Sequence, residues 1–256
     1  MILPEKHSFH ITPKRIVSLV PSLTELLHYL GLEDETVGIT KFCIHPKEWF
    51  RSKTRVGGTK TANITAIKKL EPHLIIANKE ENVKEQVEEL ANDFNVLVTD
   101  VNNVEEALQM ILYIGQLTGK TTAAKQLVKA IEKEFLKLNR NKKTPVKTAY
   151  LIWNNPYMTI GGDTFINDML DKCGLQNVFA DIKRYPEITI DQLKDSGCQL
   201  VLLSTEPYPF KQKHIDALQS QLPGVKIMLA DGEMFSWYGS PMLLAPEYFL
   251  SMVNGQ

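Results

Sequence analysis

The chain has 256 residues, 43% of them hydrophobic and 23% charged, and a formal net charge of −1. This is ordinary globular composition, with enough length for one large domain or two lobes of about 120 residues each. The near-neutral charge argues against a nucleic-acid-binding surface, and no apolar run approaches the roughly eighteen residues that would span a membrane.

The first twenty residues carry no basic stretch followed by a long apolar core and a small-residue cleavage site. The chain therefore reads as a mature or trimmed form, or as a protein not exported by that route. Cys43, Cys173 and Cys198 lie far apart and form no CxxC spacing, which supports neither a disulfide framework nor a structural zinc site.

Arg15 to Val20 is a short, β-branched apolar run closed by Pro21, the pattern of a buried parallel strand. Ser22, with Glu25 three residues on, reads as a capping box opening a helix that ends at Gly31. Val37 to Thr40 is the next predicted strand and leads into the loop Lys41 to Pro46. A second loop, Val56 to Lys60, precedes a helix over Ile64 to Leu70. The strand Leu74 to Ala77, a polar turn at 78–82, a helix over Val83 to Ala91 and the strand Val96 to Val98 complete the first half. Short apolar strands alternating with helices predict a parallel α/β sheet.

Thr121 to Asn139 has no Pro or Gly and predicts one helix of about nineteen residues, roughly 28 Å long. Leu127, Ala130, Ile131, Glu134, Phe135 and Leu138 recur at three- and four-residue spacing on one face, and Lys125, Lys129, Glu132, Lys133 and Lys137 cover the other. The segment 118–120 separates it from the preceding helix, and the polar stretch 139–145 ends it. The pattern then restarts with a strand over Thr148 to Trp153 and a helix over Phe165 to Cys173 that ends in Gly174. A shift of 126 positions lays Ile64 on Ile190, Leu74 on Leu200, Ile76 on Leu202 and Glu80 on Glu206. Two similar halves joined by a helix account for this, and so does the generic periodicity of parallel α/β proteins.

Ligands of open parallel sheets sit beyond the carboxyl ends of the strands. The loops there are rich in rings: Phe42 and His45 after one strand, Trp153 and Tyr157 after another, Tyr208 after a third, and Phe235, Trp237 and Tyr238 after the last. Such rings suit a large flat ligand, and any one of them could instead cap the core. Cys43 and His45 are metal-ligand types, but a lone loop histidine more often makes hydrogen bonds. The sharper reading of His45 is as axial ligand to a metal already held by a macrocycle. His28, His73 and His214 are scattered in or beside helices. Enzyme signatures are thin: Gly161-Gly162-Asp163-Thr164 reads as a turn and helix N-cap, and Ser18, Ser22 and Ser204 lie in turns without a nucleophile elbow.

The runs Arg15 to Glu25, Leu70 to Ile76 and Gly161 to Phe165 resemble the substrate-binding proteins of ABC importers for cobalamin, iron-siderophores and haem, nearest the cobalamin branch. The resemblance covers almost the whole chain. It implies an α/β fold of two Rossmann-like lobes with parallel sheets joined by one long backbone helix: an N-terminal lobe over 1–119, the connecting helix over 120–140 and a C-terminal lobe over 141–256. It implies no enzyme activity and no intrinsic cofactor. It further implies capture of a cobalt corrinoid or ferric chelate in the interlobe cleft by Phe42, His45, Trp153, Tyr157, Tyr208, Phe235, Trp237 and Tyr238, with little hinge motion. A monomer then docks on the importer's permease, with its ATPase, through Glu80 or Glu81 on one lobe and Glu206 on the other. The location implied is periplasmic or cell-surface, against which the absent signal segment leaves a cytoplasmic one open. Two departures from the cobalamin branch are Asn78, where relatives present Trp, and Met242, where they present Arg. The rival readings are a chelatase-like or cofactor-handling enzyme using His45 or Glu233 as acid or base, and a direct metal-ion binder.

Overall fold

The computed structural model describes residues 12–138 and 145–254; the first eleven residues and most of the polar stretch after the long helix lie outside it. The chain divides into two compact units, one of residues 1–101, 105–130 and 238–241, the other of residues 102–104, 131–237 and 242–256.

The first unit is built on five parallel strands in the order β3-β2-β1-β4-β5: β1 Ile16–Ser18, β2 Thr36–Ile39, β3 Thr54–Arg55, β4 Leu74–Asn78 and β5 Val96–Thr99. Every residue of β1 and β4 is buried, as strands covered on both faces must be. Val17, Leu19, Ile67, Ile75 and Leu90 form its core. Five helices alternate with these strands: α1 Pro21–Tyr29, α2 Lys47–Ser52, α3 Ile64–Lys69, α4 Lys84–Ala91 and α5 Val104–Leu117. The predicted capping box of α1 is not formed. Pro21, not Ser22, takes the first helical position, because its missing N–H costs nothing there. Ser22 is thereby moved into the first turn, where its buried hydroxyl meets no hydrogen-bond partner among the described residues.

The long helix α6 covers Thr121–Phe135, fifteen residues and so about 22 Å, shorter than the predicted rod. Its faces are as read: Leu127 and Ile131 are fully buried, while Lys125, Lys129, Glu132, Lys133 and Lys137 are exposed. Gly119, at φ +73°, makes the turn from α5. Residues 121–130 of α6 belong to the first unit and the remainder to the second.

The second unit holds a six-stranded sheet that is mixed rather than wholly parallel. Its path is β11-β10-β6-β7-β9, and β8 pairs with β6. Here β6 is Val146–Trp153, β7 Tyr157–Thr159, β8 Leu175–Asn177, β9 Glu187–Ile188, β10 Leu200–Ser204 and β11 Lys226–Ala230. The short strands β7 and β9 run antiparallel, and their two or three residues are too few to show a period in sequence. The helices are α7 Phe165–Lys172, α8 Ile190–Asp195, α9 Gln212–Gln219, α10 Gly232–Ser236 and α11 Ala245–Asn254. Thr164 caps α7 by accepting from Asn167 N, as the Gly-Gly-Asp-Thr turn predicts.

Candidate functional site

In the first unit the loops at the carboxyl ends of β2, β3 and β4 gather the candidate residues. Phe42 is 50% exposed, and the close approach of its ring to the backbone is allowed by Gly58, where a Cβ would lie 3.0 Å from Phe42 Cε2. Cys43, beside it, is turned inward and fully buried. Thr24 Oγ1 donates to its sulfur at 3.1 Å and Thr40 Oγ1 lies at 3.2 Å, so this thiol does not join a metal site at the surface. Burial pushes its ionisation up, further from the thiolate a metal needs. His45 is half-buried. Glu25 is close enough for the two to interact electrostatically: burial raises the Glu25 carboxyl above its ordinary range and the charge of His45 lowers it.

Glu80 and Glu81 are half-buried in the turn after β4. That turn is fixed by Asn78, whose Oδ1 accepts from the N–H groups of Glu80 and Glu81 at 2.8 and 2.9 Å. Its Nδ2 donates to Thr99 O at 3.1 Å and to Tyr238 Oη at 2.6 Å. Asn78 is thus the last residue of a buried strand, 4% exposed. Tyr238, expected as a ligand-stacking ring, is 5% exposed and accepts this bond from Asn78.

In the second unit Trp153 is 41% exposed at the end of β6. It meets the ring of Tyr208, which follows β10, edge-on at 5.5 Å between centroids. Tyr157 is half-buried against the core beneath, and burial together with the nearby Tyr208 raises its phenol above the ordinary range. Phe235, expected among the ligand-contacting rings, is 0% exposed and packs on Tyr150 at 5.1 Å and Phe249 at 4.6 Å. The sequence places it in a ring-rich loop, but helix α10 turns it into the core.

Glu206 is not an exposed rim carboxylate. It is half-buried, and its Oε1 accepts from Trp237 Nε1 at 2.7 Å and Ser236 Oγ at 3.0 Å. Burial is the main cause of a carboxyl raised above the usual range, and the neighbouring charges of Glu233 and Asp231 add to it against these two hydrogen bonds. Gly232 makes the arrangement possible: a Cβ there would overlap Glu206 Cγ and lie 2.6 Å from Ser204 Oγ. Trp237 is half-buried. Ser18 and Ser204 end their strands and are buried, and neither is presented as a nucleophile.

Met242 is fully buried. The histidines outside the loops hold ordinary polar contacts: His28 Nε2 lies 3.3 Å from Glu48, His73 Nδ1 accepts from Lys14 N, and His214 bonds Tyr208 and its own helix start. Among the described residues no three His, Cys, Asp or Glu side chains are placed to hold a metal ion. Sequence reading missed Asn78, Asn154 and His214 as site-building residues. A polar residue closing an apolar strand was the signal available for Asn78.

The carboxyl edges of both sheets thus carry exposed or half-buried rings. Residues 16–230 match the family model described as periplasmic binding protein. An uncharacterized ABC transporter substrate-binding lipoprotein of Bacillus subtilis, YvrC, is 31% identical over 187 residues, which are 69% of this chain and 59% of that relative. The vitamin B12-binding protein of Photorhabdus laumondii is 24% identical over 252 residues, covering 97% of this chain and 90% of the relative. The crystal structure of a periplasmic vitamin B12 binding protein of Vibrio cholerae superposes with a TM-score of 0.79 at 21% identity, covering 96% of this chain and 99% of that one, and so shares the fold. The chain belongs to the periplasmic binding protein family, a family of binding proteins and not of enzymes.

Proposed function

We propose that this binding protein serves an ABC importer and that its solute is a bulky, ring-containing metal chelate, a cobalt corrinoid first and a ferric chelate such as haem or a siderophore second. The single observation that carries the reading is an exposed ring at the carboxyl edge of each unit's parallel strands, Phe42 at 50% and Trp153 at 41% exposure. Large apolar rings left in water at a sheet's ligand-binding edge are explained by a ligand that covers them. The relatives named for vitamin B12 make the corrinoid the first choice. Phe42, Trp153, Tyr157, Tyr208 and Trp237 supply the contact area, and His45, in the same loop as Phe42, is the candidate axial ligand to the chelated metal.

The partners that follow are the importer's permease and its ATPase, reached by a monomer working outside the cytoplasm. Purified protein titrated with cobalamin, cobinamide, haem and a ferric siderophore tests the reading through the ligand's visible band and tryptophan quenching. A dissociation constant below about 1 μM, some −8 kcal/mol, for one of the four is the expected result. A band shift lost in His45→Ala identifies axial ligation. No response to any of the four removes the metal-chelate assignment.

A further inference from the structure

Tyr208 is more than a stacking ring. Its ring is already packed by Trp153, Phe210 and His214 at centroid separations of 5.5, 4.8 and 5.4 Å, all from its own unit. What it offers besides ring area is its hydroxyl, and the surrounding hydrogen bonds fix what that hydroxyl does.

The Nδ1 atom of His214 accepts from Lys211 N–H at 2.8 Å. A ring nitrogen that accepts carries no proton, so the neutral imidazole holds its proton on Nε2. Nε2 lies 3.2 Å from Tyr208 Oη and donates to it. Asn154 Nδ2, also at 3.2 Å, donates to the same oxygen. A phenol oxygen accepts two hydrogen bonds and donates one. Both acceptances are taken, and among the described residues no acceptor meets the remaining O–H.

We infer that Tyr208 is a one-way hydrogen-bond donor that selects a carbonyl or carboxylate oxygen on the periphery of the solute, with Asn154 and His214 as the positioning residues that fix its direction. The inference rests on the proposed function and adds to it the chemical class of the recognised edge. A solute lying against Trp153 must carry an oxygen acceptor within reach of Tyr208, as the side-chain amides of a corrinoid and the propionates of haem both do. Two donors into one phenol oxygen also strengthen its O–H as a donor, because hydrogen bonds in series polarise one another.

The test uses the full chain with cobalamin and haem as separate probes and compares wild type, Tyr208→Phe and Asn154→Asp. Loss of one ligand hydrogen bond predicts a dissociation constant about tenfold higher in Tyr208→Phe. Asn154→Asp is isosteric but offers a carboxylate that accepts the Tyr208 O–H and diverts it from the solute, so the same loss is expected with an unchanged melting temperature. Unaltered affinity in both variants overturns the inference and leaves the proposed function standing. A tyrosinate-to-iron charge-transfer band with haem that disappears in Tyr208→Phe overturns it in favour of direct ligation. Wild-type protein that binds none of cobalamin, cobinamide, haem and a ferric siderophore overturns both readings at once.

Discussion

Asn78 shows how much one side chain can carry. Its amide ties β4 to β5 through Thr99, anchors Tyr238 and holds the turn that presents Glu80 and Glu81. Asn78→Ala leaves several buried donors and acceptors without partners, and each such group costs about 1–3 kcal/mol. A loss of roughly 3 kcal/mol in denaturant unfolding is expected. Asn78→Asp costs less, because its carboxylate still accepts from the turn and can accept the Tyr238 hydroxyl. Gly232→Ala tests the opposite limit, a site with no room: the new methyl meets Glu206 Cγ and Ser204 Oγ, and destabilisation of about 1–3 kcal/mol with a changed Trp237 emission follows. At this scale sequence was least informative. Phe235 and Tyr238 stand in the same ring-rich loop as Trp237, and only the turn of α10 and the reach of Asn78 decide that the first two are buried. Likewise His214 reads from sequence only as a helix residue, since its bond to Tyr208 depends on how α9 is capped.

The β10 and β11 ends, with α10, form a polar unit whose charge state is linked to folding. Burial raises the Glu206 carboxyl, aided by Glu233 and Asp231. A carboxyl whose folded value lies above the unfolded one favours the folded state when protonated. Its contribution is fully present below the unfolded value near 4.5 and is lost as pH rises through the folded value. Glu206→Gln keeps an oxygen that accepts from Ser236 and Trp237 while removing the charge. The variant is expected to melt higher than wild type at pH 7, and the gap to close as pH falls toward about 4.5. A gap that stays constant across that range assigns the effect to packing instead.

The elements themselves were largely legible. The strands β1, β2, β4 and β5 and the helices α3 and α4 fall within a few residues of their sequence limits because apolar runs and Gly or Pro stops mark them. Absent from that reading were α2 and β3, which lie in a stretch rich in Lys, Glu and Arg, and the two- and three-residue strands of the second sheet. The first helix was misread at its start because Pro at the first helical position outweighed the Ser22–Glu25 spacing.

Across the whole molecule the 126-residue shift gains structural content. It carries α3 onto α8 and β4 onto β10 residue for residue, Ile64–Lys69 onto Ile190–Asp195 and Leu74–Asn78 onto Leu200–Ser204. Each of these strands ends in a buried polar residue, Asn78 or Ser204, whose side chain accepts from backbone N–H of the following turn. The equivalent carboxylates Glu80 and Glu206 therefore follow their strands at the same offset, one per unit, and this recurrence supports their proposed role in docking on the permease. Charges that orient a partner act on encounter rate and are screened by salt over about 8 Å at physiological ionic strength, whereas the contact proposed for the rings acts on solute affinity. Substituting the charges must then separate transport from binding. In cells or proteoliposomes carrying the cognate importer, Glu80→Ala with Glu81→Ala is expected to slow uptake about tenfold and flatten its salt dependence. The solute's dissociation constant should stay within about twofold of wild type. Glu206→Gln should behave alike, since it removes the charge without releasing Trp237. An equal fall in solute affinity and uptake would put these carboxylates at the solute and end their role as docking charges.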